Sequence, residues 1–256
     1  PRQQNSESLD RAKKAMDRPF LTARWESLAL LNYRCPRDLL TAAVPDGTEL
    51  DEWRGECLVS LVGFLFKDTR VRGCRIPGHH TFEEVNLRFY VRREVDRELR
   101  RGVVFLRELV PKRAIAAVAR FVYNEPYLAV PMSHEIKLSG SAGGQVQYQW
   151  RYQKAAHSLI ASAEGPAGEL VVGSEAEFIT EHYWGYNRQR NGTTLEYRVD
   201  HPPWRVWDCD QASYRGDAGA LYGAAWGEVL AAAPVSAHLA VGSAVSVFPG
   251  RAVGTV

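Results

Sequence analysis

The stretch at residues 84–91, Glu-Val-Asn-Leu-Arg-Phe-Tyr-Val, is the clearest structural signal in the chain. Apolar and polar residues alternate strictly, which predicts a β-strand with one apolar face and one polar face. The polar face either lies in water or lines a polar cavity, and the pattern is compatible with both. Its side chains are Glu84, Asn86, Arg88 and Tyr90.

Strand patterns continue on both sides of this segment. Residues 57–66 form an apolar run of strand length, and residues 101–110 give the next strand in sequence. About ten strands and four short helices are expected, and the strands follow one another through hairpins instead of crossover helices. The chain is therefore predicted to be mainly antiparallel β, a β-rich α+β fold, with a closed or nearly closed β-barrel and a few short peripheral helices. A barrel of this kind can hold a ligand cavity.

Three further segments carry specific local predictions. Ser174 followed by Glu177 has the spacing of a capping box and predicts a short helix that runs to about Tyr183. Pro111 is expected to open a helix, because proline is tolerated in the first turn and apolar residues then recur with helical spacing. Residues 204–214 are interpreted as a single strand.

The composition favours a single folded domain. The chain has 256 residues, of which 45% are hydrophobic and 24% charged, and a net charge of +2. Residues 1–17 are expected to form a flexible polar tail and residues 18–256 one domain. The small net charge argues against nucleic acid or an anionic membrane as a partner, and no apolar run reaches the roughly 20 residues of a membrane span. A small-molecule ligand is the expected partner, and a homo-oligomer is compatible with the sequence.

The cysteine and histidine patterns do not suggest a metal site. The four cysteines are scattered without a C-x-x-C pair, and the histidines lack H-x-x-x-H or H-x-H spacing. Neither a metal nor a cofactor is therefore expected. Scattered cysteines without a disulfide framework are typical of a reducing compartment, and a cytoplasmic location is expected.

If the polar strand face lines a cavity, its residues have clear chemical roles. The planar guanidinium of Arg88 can hold a substrate carboxylate through two hydrogen bonds, and Glu84 can act as an acid or base. Asn86 and Tyr90 on the same face are then further substrate-binding residues. A carboxylate or keto acid is the ligand class that this arrangement favours.

The junction Arg107-Glu108-Leu109-Val110-Pro111-Lys112-Arg113 is a second candidate site. A lysine attacks carbonyl groups only when its amine is neutral, which requires a lowered pKa. The neighbouring cation of Arg113 and the positive end of the predicted helix both lower the pKa of Lys112. The negative charge of Glu108 would raise the pKa of Lys112. A surface Lys-Arg pair at a helix start is the alternative interpretation.

Several motifs, taken in order, resemble a known family. They are Arg24-Trp25, Asn32-Tyr33, residues 44–51 (Val-Pro-Asp-Gly-Thr-Glu-Leu-Asp), residues 59–64, 82–91 and 101–105, and residues 123–127 (Tyr-Asn-Glu-Pro-Tyr). Together they resemble the YqjF-like family of uncharacterised proteins, known as domain of unknown function 2071, over most of the chain from about residue 18 to 253. That family is placed in the acetoacetate decarboxylase-like superfamily. The resemblance implies a cone-like, mostly antiparallel β-barrel with an internal cavity.

The resemblance also implies roles for the residues of the junction. Acetoacetate decarboxylases carry Arg-Glu-Leu, three further residues and then Pro-Lys-Lys, whose first lysine forms a Schiff base. Here Arg107-Glu108-Leu109 is followed by one residue and then Pro111-Lys112-Arg113. By this similarity Lys112 matches the Schiff-base lysine and Arg113 the activating cation, an activation for which acetoacetate decarboxylase is itself the standard example. The spacer is shorter by two residues, and arginine replaces the second lysine.

Two functions are compatible with these observations. In the first, the protein is an enzyme in which Lys112 attacks a ketone or keto acid, Glu84 or Glu108 moves protons, and decarboxylase- or aldolase-type chemistry follows. In the second, it is a non-catalytic barrel that binds or senses a small ligand.

Overall fold

The computed structural model describes residues 18–122 and 124–254, so the predicted tail at residues 1–17 lies outside the described residues. Within them the chain forms sixteen strands and five helices. The strands are β1 Leu21–Arg34, β2 Glu49–Leu50, β3 Leu58–Val71, β4 Cys74–Arg75, β5 Phe82–Val95, β6 Glu98–Val110, β7 Tyr127–Ala129, β8 Met132–Ser139, β9 Gly143–Tyr152, β10 Ala155–Glu164, β11 Trp184–Arg188, β12 Thr194–Asp200, β13 Val206–Asp208, β14 Gln211–Arg215, β15 Ser236–Val247 and β16 Arg251–Ala252. The helices are α1 Arg37–Thr41, α2 Arg113–Val122, α3 Glu175–Thr180, α4 Ala218–Tyr222 and α5 Ala224–Ala231.

Most strands belong to one twelve-stranded sheet that closes on itself. Its path runs β13, β15, β1, β3, β5, β6, β11, β12 and β16, and β2, β4 and β7 attach beside it. β12 also pairs with β15, with Val199 opposite Val247, so the two ends of the path meet. This ring confirms the predicted mainly antiparallel, closed or nearly closed sheet with few short helices. Two of its pairings are parallel, since β6 runs alongside both β7 and β11.

A second sheet covers the outside of the ring. Its four strands lie in the order β14, β10, β9 and β8. Because β3 is covered on both faces, its side chains enter two different cores. Val59 and Leu61 pack in the core shared with the second sheet. Val62 and Phe64 pack in the core inside the ring. This double coverage explains why residues 57–66 are almost continuously apolar, and each such side chain contributes about 1.5–3 kcal/mol through burial.

Helix α3 fills one end of the ring interior. Phe178 and Ile179 are buried in the inner core. The predicted capping box is present, because Ser174 Oγ accepts a hydrogen bond from the Glu177 amide over 3.1 Å. The helix ends at Thr180, earlier than predicted, and the chain then enters β11 beside β6. No strand was predicted from the sequence at the position of β11.

Two other local predictions need correction. Residues 204–214 form two strands instead of one: β13 joins the ring, and β14 joins the outer sheet. Between them the backbone amide of Cys209 donates a hydrogen bond to the Ala237 carbonyl of the ring. The next amide, of Asp210, donates to the Ser162 carbonyl of the outer sheet, so the chain passes from one sheet to the other at this point. Helix α2 begins at Arg113, and Lys112 precedes it with its carbonyl accepting from the Ala116 amide. Within the described residues, no helix has the length and apolar character needed to cross a membrane.

Candidate functional site

The ring encloses a cavity of about 230 Å³. Much of its wall is aromatic, and the rings pack on one another, with the centroids of Phe66 and Phe82 4.7 Å apart. The polar strand face of β5 lies on the wall of this interior: Glu84 and Asn86 are each 2% exposed. The polar lining residues include Glu84, Asn86, Arg88, Glu108, Glu125, Tyr127, Thr180, His182, Tyr197 and His201.

Strand register brings the first part of the polar cluster together. Asn86 on β5 lies opposite Glu108 on β6, and Glu108 in turn lies beside Tyr127 on β7. Glu84 is two residues before Asn86, so its side chain points to the same face. It accepts hydrogen bonds from Asn86 Nδ2 over 3.1 Å and from the Tyr127 hydroxyl over 2.9 Å. Three neighbouring strands therefore place four polar side chains at one point of the cavity wall.

A bulge in the β5–β6 pairing is what allows Glu108 to join this cluster. Val103 and Phe105 line the cavity, and strict alternation along β6 would place the side chain of Glu108 on the opposite face. The register shifts between Leu87 and Arg88 of β5, so β6 carries one extra residue there. The extra residue reverses the alternation, and Glu108 turns inward.

Glu125 reaches the cluster from the connection between α2 and β7. The amide of Glu108 bonds to the Pro126 carbonyl, which fixes this connection against β6. Glu125 Oε1 accepts a hydrogen bond from the Tyr197 hydroxyl over 3.0 Å. Tyr197 on β12 lies opposite Gly185 on β11, and the ring occupies the space that a side chain at Gly185 would fill. The small residue at position 185 therefore makes room for the tyrosine that holds Glu125.

The three carboxyls resist ionisation because they are buried together. Burial raises the pKa of Glu84 to about 7, against the opposing effects of its hydrogen bonds and of the Arg88 charge. Burial also raises the pKa of Glu125 to about 8. For Glu108, burial and the negative charges of Glu125 and Glu84 raise the pKa well above its ordinary value. Near neutral pH the cluster therefore contains protonated carboxyls and is close to losing a proton.

Several polar atoms of the lining have no hydrogen-bond partner among the residues that the structure describes. Among the described residues, no group bonds to Glu108 Oε2, Glu125 Oε2 or Asn86 Oδ1, although all three are buried. Buried polar atoms are nearly always hydrogen-bonded in folded proteins, so these atoms are ready to receive a bound molecule or water. In the part of the chain that the structure describes, no three His, Cys, Asp or Glu side chains are arranged to hold a metal ion.

The remaining predicted residues of β5 lie further along the strand. Arg88 lines the cavity, and its Nη2 donates a hydrogen bond to the Ile179 carbonyl over 3.1 Å. Tyr90 is buried and does not line the cavity; its hydroxyl hydrogen-bonds Ser60 Oγ, which in turn donates to Asn32. The Arg88 guanidinium lies 5.7 Å from the centre of the Tyr90 ring. Tyr90 therefore supports the cavity wall from behind.

Lys112 and Arg113 do not join this cluster. Both side chains are exposed, and neither lines the cavity. β6 ends at Val110, and Pro111 and Lys112 leave the ring before α2 begins. Ala114 and Ile115 of α2 face the cavity in their place. Of the predicted site residues, Glu84, Asn86, Arg88 and Glu108 line the cavity, whereas Tyr90, Lys112 and Arg113 do not.

Sequence reasoning missed four residues of the site. Glu125 and Tyr127 lie in the Tyr-Asn-Glu-Pro-Tyr motif at residues 123–127, which contributed to the family resemblance and was given no chemical role. Tyr197 lies in β12, and His182 follows α3. No local pattern identifies these two residues, because the closure of the sheet brings them to the cavity wall.

Comparison with known proteins agrees with the fold. The family model of domain of unknown function 2071, described as an uncharacterised conserved protein, matches residues 22–244. The uncharacterised protein YqjF of Bacillus subtilis (strain 168) is 25% identical over 190 residues, which cover 73% of this chain and 74% of that protein.

Two solved structures share the architecture at low identity. Acetoacetate decarboxylase from Legionella pneumophila superposes with a TM-score of 0.60 at 15% identity, covering 92% of this chain and 87% of that one. The enduracididine biosynthesis enzyme MppR complexed with pyruvate gives a TM-score of 0.61 at 14% identity, covering 94% and 93%. The fold is thus acetoacetate decarboxylase-like, and the chain belongs to the family of domain of unknown function 2071.

Proposed function

We propose that this protein binds a small, mostly apolar carbonyl compound and moves a proton on it by acid–base catalysis. The observation that carries the proposal is the cluster of Glu84, Glu108 and Glu125, three buried carboxyls on the wall of one cavity. Carboxyls with pKa values raised to near neutral pH can be present in both protonated and ionised forms, which acid–base chemistry requires.

The reaction follows from these two forms. A protonated carboxyl of the cluster donates a hydrogen bond to the carbonyl oxygen of the ligand, as a neutral acid in an apolar site can do. An ionised carboxylate removes a proton from the carbon next to the carbonyl. The electron pair of the broken C–H bond forms the C=C bond of an enol, and the carbonyl oxygen takes the acid proton. Return of a proton to carbon restores the ketone or gives an isomer.

The wall of the cavity supports a ligand with an apolar body. Trp25, Phe64, Phe66 and Phe82 surround the space beside the carboxyls. Apolar walls exclude water and strengthen the hydrogen bonds made inside. Of the structures with this fold, one is named for acetoacetate and another holds pyruvate, both carbonyl compounds. The Arg88 guanidinium lies on the same cavity wall and offers hydrogen-bond donors to a second polar group of such a ligand.

Schiff-base chemistry at Lys112 is the competing form of an enzymatic function. The shared fold with acetoacetate decarboxylase favours it. The exposed position of Lys112 outside the cavity disfavours it, because an amine there lies apart from a ligand bound inside the cavity. The carboxyl cluster provides acid–base groups inside the cavity without a covalent intermediate.

Hydrogen–deuterium exchange tests the proposal directly. The protein is incubated in D₂O with ketones and keto acids, including 4-phenyl-2-butanone, acetoacetate and pyruvate, and loss of the α-proton signal is followed by ¹H NMR. We expect exchange above the buffer rate for at least one compound. Saturation-transfer NMR on the same samples reports binding. Binding without exchange would establish the non-catalytic alternative and overturn the enzymatic proposal.

A further inference from the structure

His182 is a buried polar side chain of the cavity wall with unused hydrogen-bonding capacity. Its side chain is 1% exposed, and its ring lies on the lining of the same cavity as the glutamates. Neither ring nitrogen has a hydrogen-bond partner among the described residues. The nearest carboxylate is Asp51, whose Oδ2 lies 3.6 Å from Nε2, beyond hydrogen-bond distance. The same oxygen accepts from Arg101 Nε over 2.7 Å.

The ring of His182 is neutral at physiological pH. Burial lowers its pKa to about 4, although Asp51 acts in the opposite direction. A neutral imidazole carries one N–H donor and one acceptor nitrogen. Nε2 faces the Asp51 carboxylate, and among the described residues Nδ1 is buried without a hydrogen-bond partner, an unfavourable arrangement that a bound polar group would relieve.

Arg88 presents a second unused donor in the same part of the cavity. Its Nε–H is buried without a hydrogen-bond partner among the described residues, while its Nη2 donates a hydrogen bond to the Ile179 carbonyl. The ring of Tyr90 lies beside both groups, 4.7 Å from the His182 ring and 5.7 Å from the Arg88 guanidinium. Arg88 follows Glu84 by four residues of β5, a separation of about 13 Å along an extended strand. The cavity therefore has two polar regions, with aromatic side chains on the wall that they share.

We propose that His182 and Arg88 bind a hydroxyl group at the far end of an elongated ligand whose carbonyl lies at the glutamate cluster. This inference rests on the proposed function and specifies its substrate class as hydroxylated, aromatic or alicyclic ketones. A hydroxyl oxygen accepts from Arg88 Nε–H, and its hydrogen is donated to the free nitrogen of His182. A carboxylate fits less well there, because it would approach the buried carboxylate of Asp51.

Three ketones of one scaffold test the inference on the full chain by titration calorimetry. They are 4-phenyl-2-butanone, 4-(4-hydroxyphenyl)-2-butanone and 4-(3-oxobutyl)benzoate, which differ only in the group opposite the ketone. We expect the phenol to bind about tenfold more tightly than the unsubstituted ketone, the gain typical of hydrogen bonds to otherwise unpaired buried groups. We expect the carboxylate to bind more weakly than the phenol.

Variants of His182 show whether this residue sets the preference. His182→Phe keeps a ring against Tyr90 and removes one of the two proposed partners of the hydroxyl, so it should lose most of the preference for the phenol over 4-phenyl-2-butanone. His182→Gln retains a donor and an acceptor and should restore part of the preference. Thermal unfolding establishes that each variant is folded.

The possible results distinguish failure of the hydroxyl-binding site from failure of the proposed function. Equal affinity for the phenol and 4-phenyl-2-butanone, or tighter binding of the carboxylate, overturns the inference, while α-proton exchange on 4-phenyl-2-butanone still supports the proposed function. A preference for the phenol that is undiminished in His182→Phe also overturns it. If no compound of the exchange panel binds or exchanges, the proposed function fails, and this inference fails with it.

Discussion

The hydroxyl of Tyr127 donates a hydrogen bond to Oε2 of Glu84 over 2.9 Å, and so links β7 to β5 across the intervening strand β6. Glu108 lies on that intervening strand, and its charge, like burial, raises the pKa of Tyr127 well above the ordinary value. The tyrosine is therefore a permanent donor that orients one carboxyl beside another. Its hydrogen bond favours the ionised form of Glu84, whereas burial favours the protonated form. Among the described residues, no group bonds to Glu108 Oε2, which leaves this oxygen available to a ligand.

Replacing Glu108 by glutamine should abolish most of the proton exchange. The amide keeps the size of the side chain and cannot take up or release a proton, so we expect exchange on a bound ketone to fall by about 10²–10⁴-fold. The measurement is the NMR exchange rate at saturating ketone. Glu83→Gln is the matched control, because Glu83 precedes Glu84 on β5 and is bound to His134 away from the cavity lining. A Glu108→Gln variant as active as Glu83→Gln would contradict the assignment.

The stability of the ligand-free protein should decrease as the pH rises from about 7 to about 8. The pKa of Glu84 is raised to about 7 and that of Glu125 to about 8 in the folded state. The native state then holds protons that the unfolded chain, with carboxyl pKa values near 4.3, has released. These protons stabilise the native state fully when the pH lies below the carboxyl pKa of the unfolded chain. The stabilisation is lost as the pH rises through the carboxyl pKa of the folded protein. The decrease should approach about 1.4 kcal/mol per pH unit for each carboxyl at most.

Urea unfolding at several pH values provides the measurement. The range above about pH 7 is chosen because buried histidines such as His182, with a pKa lowered to about 4, contribute a rise in stability up to the pKa of unfolded histidine, about 6.5, and slightly beyond. Glu125→Gln removes one titrating group and should flatten the decrease. A stability that is constant or rises from about pH 7 to about 8 in the unmodified protein would show that the cluster is ionised in the folded state.

Lys112 should not be trapped by reduction of a Schiff base. The chain contains six lysines, and Lys112 is exposed outside the cavity. After incubation with keto acids and borohydride, peptide mass spectrometry should find no ketone adduct at Lys112 above the level at the exposed Lys137. Lys112→Ala should keep the exchange activity within about twofold, as is usual for a surface residue away from the reacting groups. A specific adduct together with loss of activity would restore the Schiff-base mechanism.

Replacing Gly185 by alanine should damage the site without touching a polar residue. The added methyl group would overlap the ring of Tyr197, which donates to Glu125. Displacement of the tyrosine should cost about 1–3 kcal/mol of unfolding free energy and should reduce exchange. Gly140→Ala is the control, since no atom lies within 4 Å of a methyl group there. Equal stability of the two variants would show that Tyr197 can move without consequence.

Much of the fold is predictable from the sequence, because it depends on local patterns. The alternation in residues 84–91 defines a strand with a polar face, and the long apolar run after residue 57 requires a strand buried on both sides. The Ser174–Glu177 capping box is likewise a local signal that the structure confirms. The division of residues 204–214 between two sheets was not predictable, since each half is a good strand and only the pairing partners differ.

The sequence by itself determined the polar face of β5, since side-chain alternation is a property of the extended backbone. Only the tertiary structure decided which of the predicted site residues meet at the cavity. The bulge beside Arg88 turns Glu108 inward, the closure of the ring brings Tyr197 to Glu125, and the exit of the chain at Pro111 leaves Lys112 in solvent. These outcomes depend on contacts between residues far apart in the chain, which no short segment specifies.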